Sequence, residues 1–396
     1  MPVLTRLYQP GDFASMAAIN TVAAIPMAIA ALRFDRLIPR PRLEAQGRAM
    51  LMLALCALCV VCLVTSILAL FLPGWLPPHS SFVLLSDHPI LIPLLALGGG
   101  IHLVAQAWFV RQGDLGPTAR IKITQSIVGA VVTLGGGLTK LGAAGLVLGT
   151  LVSTWSGIGL IWRQLSGSVR GCLQLRRRPT YLAATLKRYA REALSSSGVA
   201  IVNTAGQSAP SLWIALHFSA TEFGLFALMQ RAAIVPMGLF TSALTQAFWA
   251  EAAHLVRTDP RRLRHLYLVC SGRLALLSIP VALCCLLAPW YAGPLLGRTH
   301  WQGAGHVLAS LTPLVIGQII VSSILHLDVH GKHHWQLAWD VSRLGAVFGS
   351  LALARALNLG FLPSLTFFSL TMLIMYAAAF ALNLLALQGS ITRQSK

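Results

Sequence analysis

Residues Gly11 to Met27 (GDFASMAAINTVAAIPM) recur without a gap 210 positions later as Thr221 to Met237 (TEFGLFALMQRAAIVPM), so the chain reads as one unit written twice. Phe13 aligns with Phe223, Ala17 with Ala227, Ala23 with Ala233, Pro26 with Pro236 and Met27 with Met237, while Asp12/Glu222 and Asn20/Gln230 keep their chemistry. A repeat of long period governs architecture, because each copy builds a similar unit. Each copy sets an acidic residue and a Phe ahead of small and apolar side chains interrupted by a proline. That pattern describes an apolar helix approached through a short polar turn.

Composition decides which solvent such a helix meets. Hydrophobic residues make up 56% of the 396 residues, charged ones only 10%, and the mean hydropathy is +0.72. A soluble domain carries about a quarter charged residues, so the chain is an all-α polytopic membrane protein. Runs of roughly 20 apolar residues, the length that crosses a bilayer, begin near Phe13, Ala49, Ile90, Ile123, Ala144 and Leu194. Others begin near Phe223, Leu274, Ala304, Leu337 and Ser364, giving eleven expected spans. Met1 to Pro10 lacks the apolar stretch of a cleavable signal.

The basic residues orient these spans. With the loop after the Phe13 span on the cytoplasmic side, that side collects 24 of the Lys and Arg residues, from Arg33 to Lys396, against Arg6, Lys140 and Arg298 opposite. Such a bias is the positive-inside signature, and it predicts a cytoplasmic C-terminus. Arg231, Arg343 and Arg355 lie inside spans. The net charge of +19 sits in short inter-helix loops rather than in one patch interleaved with aromatics. It therefore points to anionic membrane lipids as partners and not to nucleic acid.

The two copies are separated by an even number of spans, so they share one orientation, a parallel repeat of the kind found in secondary transporters. The predicted organisation is an N-terminal lobe over 1–162, a basic cytoplasmic linker over 163–193, a six-helix C-terminal lobe over 194–387 and a cytoplasmic tail over 388–396. A shift of 210 positions carries the Leu194 to Phe218 helix back to about sixteen residues before Met1. One first-lobe helix is thus expected to be missing, with Val3 to Tyr8 as its tail.

The opening PVLTRLYQPGDFA, the RFDRLIPRP segment, the stretch SATEFGLFALMQRAAIVPMGLFTSALTQAFWAEAA and GRTHWQGAGHVLASLTPLVIGQII together resemble the polysaccharide flippase family. That family includes O-antigen (Wzx-type) exporters, within a superfamily shared with multidrug antiporters and lipid II flippases. The resemblance runs nearly the whole chain. It implies a two-lobed, twelve-helix protein of the bacterial inner membrane that carries undecaprenyl-diphosphate-linked oligosaccharide repeat units to the outer leaflet and works beside a polysaccharide polymerase. The absent first helix departs from the family pattern.

Physics makes that activity coherent. The lipid tail stays in the bilayer, but the diphosphate does not cross it unaided, since an isolated charge costs on the order of tens of kcal/mol to bring into a low-dielectric medium. Export of an anion from a negative cytoplasm is favoured by about 2.3 kcal/mol per charge per 100 mV. No GxxxxGK[ST] phosphate loop is present, so nothing in the sequence points to ATP or another cofactor.

Intramembrane polar groups are candidate sites by default. Arg231, next to Gln230, lies two turns into its helix and offers a guanidinium that grips phosphate oxygens bidentately; the alternative is a buried ion pair or a bond to backbone carbonyls. Arg33 and Arg36, flanking Asp35, stand where a diphosphate enters from the cytoplasm, or else snorkel to headgroups. Asn203 and Gln207, with Gln125 and Gln106, suit sugar hydroxyls or interhelical hydrogen bonds. Asp340 and Arg343, spaced i, i+3, make a self-neutralising pair or an ion-coupling site in which Asp340 takes up a proton or cation.

No metal centre or catalytic residue is expected. Cys56, Cys59, Cys62, Cys284 and Cys285 have no His or carboxylate neighbours in sequence to complete a tetrahedral site. The His330 to Trp335 loop reads as solvated. Gly98–Gly100 and Gly135–Gly137 permit close helix approach, and Pro26, Pro236, Pro280 and Pro313 are expected to kink their spans. Three rivals remain. A membrane polymerase or ligase would carry acid/base groups in a large outer loop, whereas the longest, 73–89, has Asp87 and two histidines. A cation-coupled multidrug antiporter would favour acidic intramembrane residues over Arg231. A nonfunctional remnant would follow from the lost helix.

Overall fold

The computed structural model describes residues 2–76, 81–114, 116–175, 179–233, 248, 255, 259–297, 300–321 and 333–394. Pro236, Met237, His330 and Lys332 lie outside these residues, as do Arg176 to Arg178 and Arg257. The described residues are helical with no strand: α1 (Pro2–Leu7), α2 (Pro10–Ala28), α3 (Glu44–Phe71), α4 (Val83–Asp87), α5 (Leu91–Gln112), α6 (Gly116–Leu138), α7 (Ala143–Trp155) and α8 (Ile158–Leu175) come first. They are followed by α9 (Pro179–His217), α10 (220–233), α11 (Pro260–Leu296), α12 (Ala304–Ser310), α13 (Thr312–Val321), α14 (His333–Ala356) and α15 (Phe361–Gln394).

Seven described helices are long and apolar enough to cross a membrane, or eight when the bent pair α12 and α13 is taken as one span. Their outward faces carry bare apolar side chains such as Leu63 and Leu68 on α3 and Leu276 on α11. Exposed leucines in that number are the expected surface of a protein whose solvent is hydrocarbon.

The chain divides into two compact units, Leu7–Ala220 and Met1–Arg6 with Thr221–Lys396. In the first unit α2 packs on α5, α7 and α9, α3 packs on α5, and α6 packs on α7. Its core gathers Met50, Leu51 and Ala54 of α3 with Val104, Trp108 and Phe109 of α5, closed by Phe34, Leu37 and Ile38 from the segment after α2. Of residues 163–193, read from the sequence as a linker, 163–175 form the end of α8 and 179–193 the start of α9.

Both glycine triplets lie at close approaches. A Cβ on Gly99 would stand 2.6 Å from Met27 Cε, and one on Gly100 2.8 Å from Ala30 Cβ. A Cβ on Gly136 would stand 2.7 Å from Gly145 Cα, so the two backbones of α6 and α7 nearly touch. Only glycine admits that separation.

In the second unit α11 packs on α12, α13 and α15, and α14 packs on α15. The α12–α13 span bends by 48° at Leu311, directly before Thr312 and Pro313; a proline just past a break is tolerated because its missing N–H falls where no helical partner exists. Pro280, by contrast, sits inside α11, which runs on as one helix. Pro26 lies in the last turn of α2. Within the unit that holds α12 and α13, the Trp301 indole, 1% exposed, donates to the Thr5 carbonyl at 2.8 Å.

The two aligned phenylalanines are both buried. Phe13 and Phe223 are 2% and 0% exposed, each at the start of its helix. In the first copy Asp12 closes the helix start, accepting from the Gln9 backbone N–H at 2.9 Å.

Candidate functional site

Six of the sequence-selected residues, Arg33, Arg36, Gln106, Gln125, Asn203 and Gln207, fall in the first unit, and the first two share one loop. After α2 the chain turns through Leu32 and Arg33, both left-handed, with φ of 45° and 59°. Residues with a Cβ avoid that region, and each costs about 1–3 kcal/mol unless its surroundings enforce it. The Arg111 guanidinium, at the end of α5, donates to the carbonyls of Ile38 at 2.9 Å, Pro41 at 2.6 Å and Leu43 at 3.0 Å. Gly47 makes room for it, since a Cβ there would overlap the guanidinium. Arg40 reaches across to pair with Glu192 of α9.

This pinned turn presents charge. Arg36 is exposed and Arg33 half-buried, while the Asp35 side chain between them is buried. Burial raises the Asp35 carboxyl above its usual value, against the opposing pull of Arg33, Arg36 and the backbone N–H groups of Asp35 and Arg36. Burial and the Arg36 charge lower the Arg33 guanidinium, with Asp35 acting the other way. Lowered or not, an arginine stays charged at neutral pH, so the turn holds two cationic groups beside one reluctant anion. That arrangement suits a multiply charged anion better than a cation.

Asn203 and Gln207 sit one turn apart on α9, where the Gln207 amide donates to Asn203 Oδ1. In the second unit Gln230 is half-buried and Arg231 exposed on α10. Asp340 and Arg343 are brought together on α14 at 1% and 7% exposure, with Nη2 3.2 Å from Oδ1. Gln336 donates to the other carboxylate oxygen at 3.2 Å, and the Arg343 guanidinium lies 4.8 Å from the Trp339 ring centre. Trp339 is held in turn by Nε1 donating to the Met375 carbonyl at 3.1 Å.

Sequence reasoning missed two features. Arg111 reads as one more basic loop residue, and nothing in its neighbours announces three backbone carbonyls. His102, a lone histidine in an apolar span, is the signal that was there to find. Its Nε2 lies 2.8 Å from the Thr154 carbonyl and 2.9 Å from the Gln125 amide, and Ser153 Oγ donates to the Gln125 carbonyl at 2.8 Å. An N–H on Nε2 satisfies Thr154, and Gln125 is then best satisfied with its amide oxygen turned toward it. Among the described residues no group of three His, Cys, Asp or Glu side chains is placed to hold a metal ion.

The model of a family described as "Polysaccharide biosynthesis protein" matches residues 3–304. No curated protein sequence matches the chain. Among solved structures, an inward-facing multidrug resistance MATE family transporter of the MOP superfamily is similar at 14% identity and a TM-score of 0.62, covering 99% of this chain and 96% of its own. The lipid II flippase MurJ in an inward closed conformation is similar at 12% identity and 0.63, covering 97% and 85%. The Vibrio cholerae MATE transporter VcmN in its bent form is similar at 15% identity and 0.55, covering 99% and 87%.

Proposed function

The chain belongs to the polysaccharide biosynthesis protein family and has the fold of MOP-superfamily transporters and flippases; from that premise we propose that it is a flippase for lipid-linked glycans. It carries undecaprenyl-diphosphate-linked oligosaccharide repeat units across the bacterial inner membrane, by alternating access, for O-antigen, capsule or exopolysaccharide synthesis. The C-terminus is cytoplasmic, and a polysaccharide polymerase consumes the product.

One observation supports anionic cargo most directly. The left-handed turn at Leu32 and Arg33 displays Arg33 and Arg36 and leads into a segment that Arg111 holds by the carbonyls of Ile38, Pro41 and Leu43. Backbone strain that neighbours must enforce collects at functional sites, and guanidinium groups hold phosphate oxygens bidentately. In this reading Arg33 and Arg36 receive the diphosphate and Arg231 with Gln230 holds it during passage. Asn203 and Gln207 meet sugar hydroxyls, and Asp340 with Arg343 couples the return step to an ion.

A gene deletion tests the reading. It should abolish surface polysaccharide while lipid-linked repeat units accumulate inside, and the intact chain should restore display. Unchanged display on deletion sinks the proposal. The second reading, a cation-coupled multidrug antiporter, is favoured by the likeness to MATE transporters; drug sensitivity of the same deletion strain with normal glycan display would select it.

A further inference from the structure

The 48° bend between α12 and α13 leaves a pocket of about 490 Å³ in the second unit, walled by α11, α12, α13 and α15. That volume lies in the range of small-molecule sites. Leu286, Ala309, Pro313, Ile316, Leu362 and Leu373 make its apolar lining. Two of its four polar residues are chemically withdrawn. Thr366 donates to the Leu362 carbonyl at 3.0 Å and Thr312 to the Leu308 carbonyl at 3.5 Å, so each hydroxyl bonds its own helix. Hydroxyls engaged in this way serve a sugar or a hydrated ion poorly, because a polar ligand buried without partners loses its hydrogen bonds to water. The remaining wall is mostly apolar, a surface that hydrocarbon covers at less cost than water does.

We propose that this pocket is a binding site for a single long hydrocarbon chain of a membrane lipid. The wall chemistry selects the chain. Position selects the leaflet: Ala304 begins α12, Phe361 begins α15, and Leu296 ends α11, and all three ends face outward on the orientation proposed above. The chain therefore enters from the outer leaflet, with exposed His306 beside the pocket toward the headgroup level. This site requires only that the unit lies in a membrane and is independent of the glycan assignment. Two lipids carry such a chain, the isoprenoid tail of the proposed cargo and a phospholipid of the bilayer.

Photocrosslinking tests it. The photoreactive residue p-benzoylphenylalanine is placed at Thr366 and, as a control, at Leu276, which is 70% exposed on α11 and outside the pocket. The full chain is irradiated in inner-membrane vesicles, and adducts are read by intact-protein mass spectrometry. The expected result is a lipid adduct at Thr366 that is lost when Ala309→Trp fills the pocket, with the Leu276 adduct unchanged. Should Ala309→Trp fail to fold, competition serves: undecaprenyl phosphate or a deuterated phospholipid titrated into the vesicles should replace the Thr366 adduct by one of its own mass, with less exchange at Leu276. The adduct mass names the source, an isoprenoid or a diacyl lipid, and either supports the site. No adduct at Thr366, or one that neither falls with the filling substitution nor changes mass with either added lipid more than the Leu276 adduct does, overturns it. Loss of the site alongside normal glycan export would leave the flippase reading standing.

Discussion

The Arg343 guanidinium stands 3.2 Å from the Asp340 carboxylate, three residues earlier on the same helix, with both side chains almost wholly buried. Two charges removed from water hold each other in place. Removing one strands the other, which costs about 3–5 kcal/mol, whereas removing both is far milder. Asp340→Asn and Arg343→Gln are each expected to lower the melting temperature of purified protein sharply, and the double variant to recover most of the loss. Equal losses in single and double variants would show that the pair is not coupled.

Arg111 ties down the segment that follows the cationic turn. Its three bonds to backbone carbonyls involve a charged donor, each worth about 1.5–3 kcal/mol when broken. Arg111→Ala should speed hydrogen exchange across 32–43 while the rest of α5 stays protected. Gly47→Ala, which displaces the same guanidinium, should reproduce a weaker form of the effect and add little to Arg111→Ala. Additive effects would place the two residues in separate roles.

Asp35 gives a pH dependence with a definite sign. Burial holds its carboxyl above the ordinary value, so the folded protein binds that proton more tightly than the unfolded chain does. Its contribution to stability is complete below the unfolded value of about 4 and is lost as pH rises through the folded one. Asp35→Asn should therefore be at least as stable as the parent at neutral pH, with the difference closing on acidification. A variant that is markedly less stable at neutral pH would mean that the Arg33 and Arg36 charges outweigh burial.

The α6–α7 contact carries its own control. A methyl group on Gly145 would meet the Gly136 backbone at 3.1 Å and the Tyr8 hydroxyl at 2.7 Å, whereas one on Gly135 meets nothing within 4 Å. Gly145→Ala should destabilise by about 1–3 kcal/mol, read as a lower melting temperature, and Gly135→Ala should not. Similar effects at both positions would point to helix propensity in place of packing.

Arg231 is exposed on α10, so its replacement should test function with little effect on folding. Arg231→Ala is expected to reduce surface glycan severalfold at normal expression, and Arg231→Lys to retain part of it, because an ammonium keeps the charge but not the bidentate grip. Full display with Arg231→Ala would remove it from the site.

Much of this protein is legible in one dimension because the bilayer is a simple solvent. A backbone in hydrocarbon must satisfy its own hydrogen bonds, so apolar runs of sufficient length become helices whatever their partners. The repeat at Phe13 and Phe223, the i, i+3 spacing of Asp340 and Arg343 and the glycine triplets all express local geometry, and each has a counterpart in the fold. What depends on residues far apart in sequence was not legible. Arg111 finds its carbonyls about 70 positions earlier, His102 meets Gln125 and Thr154 from two other helices, and the pocket exists because one span bends against two neighbours. Periodicity and composition determine which segments lie in the membrane; which side chains meet is set by interhelical packing, where partners are chosen by shape and by the need to satisfy each buried polar group.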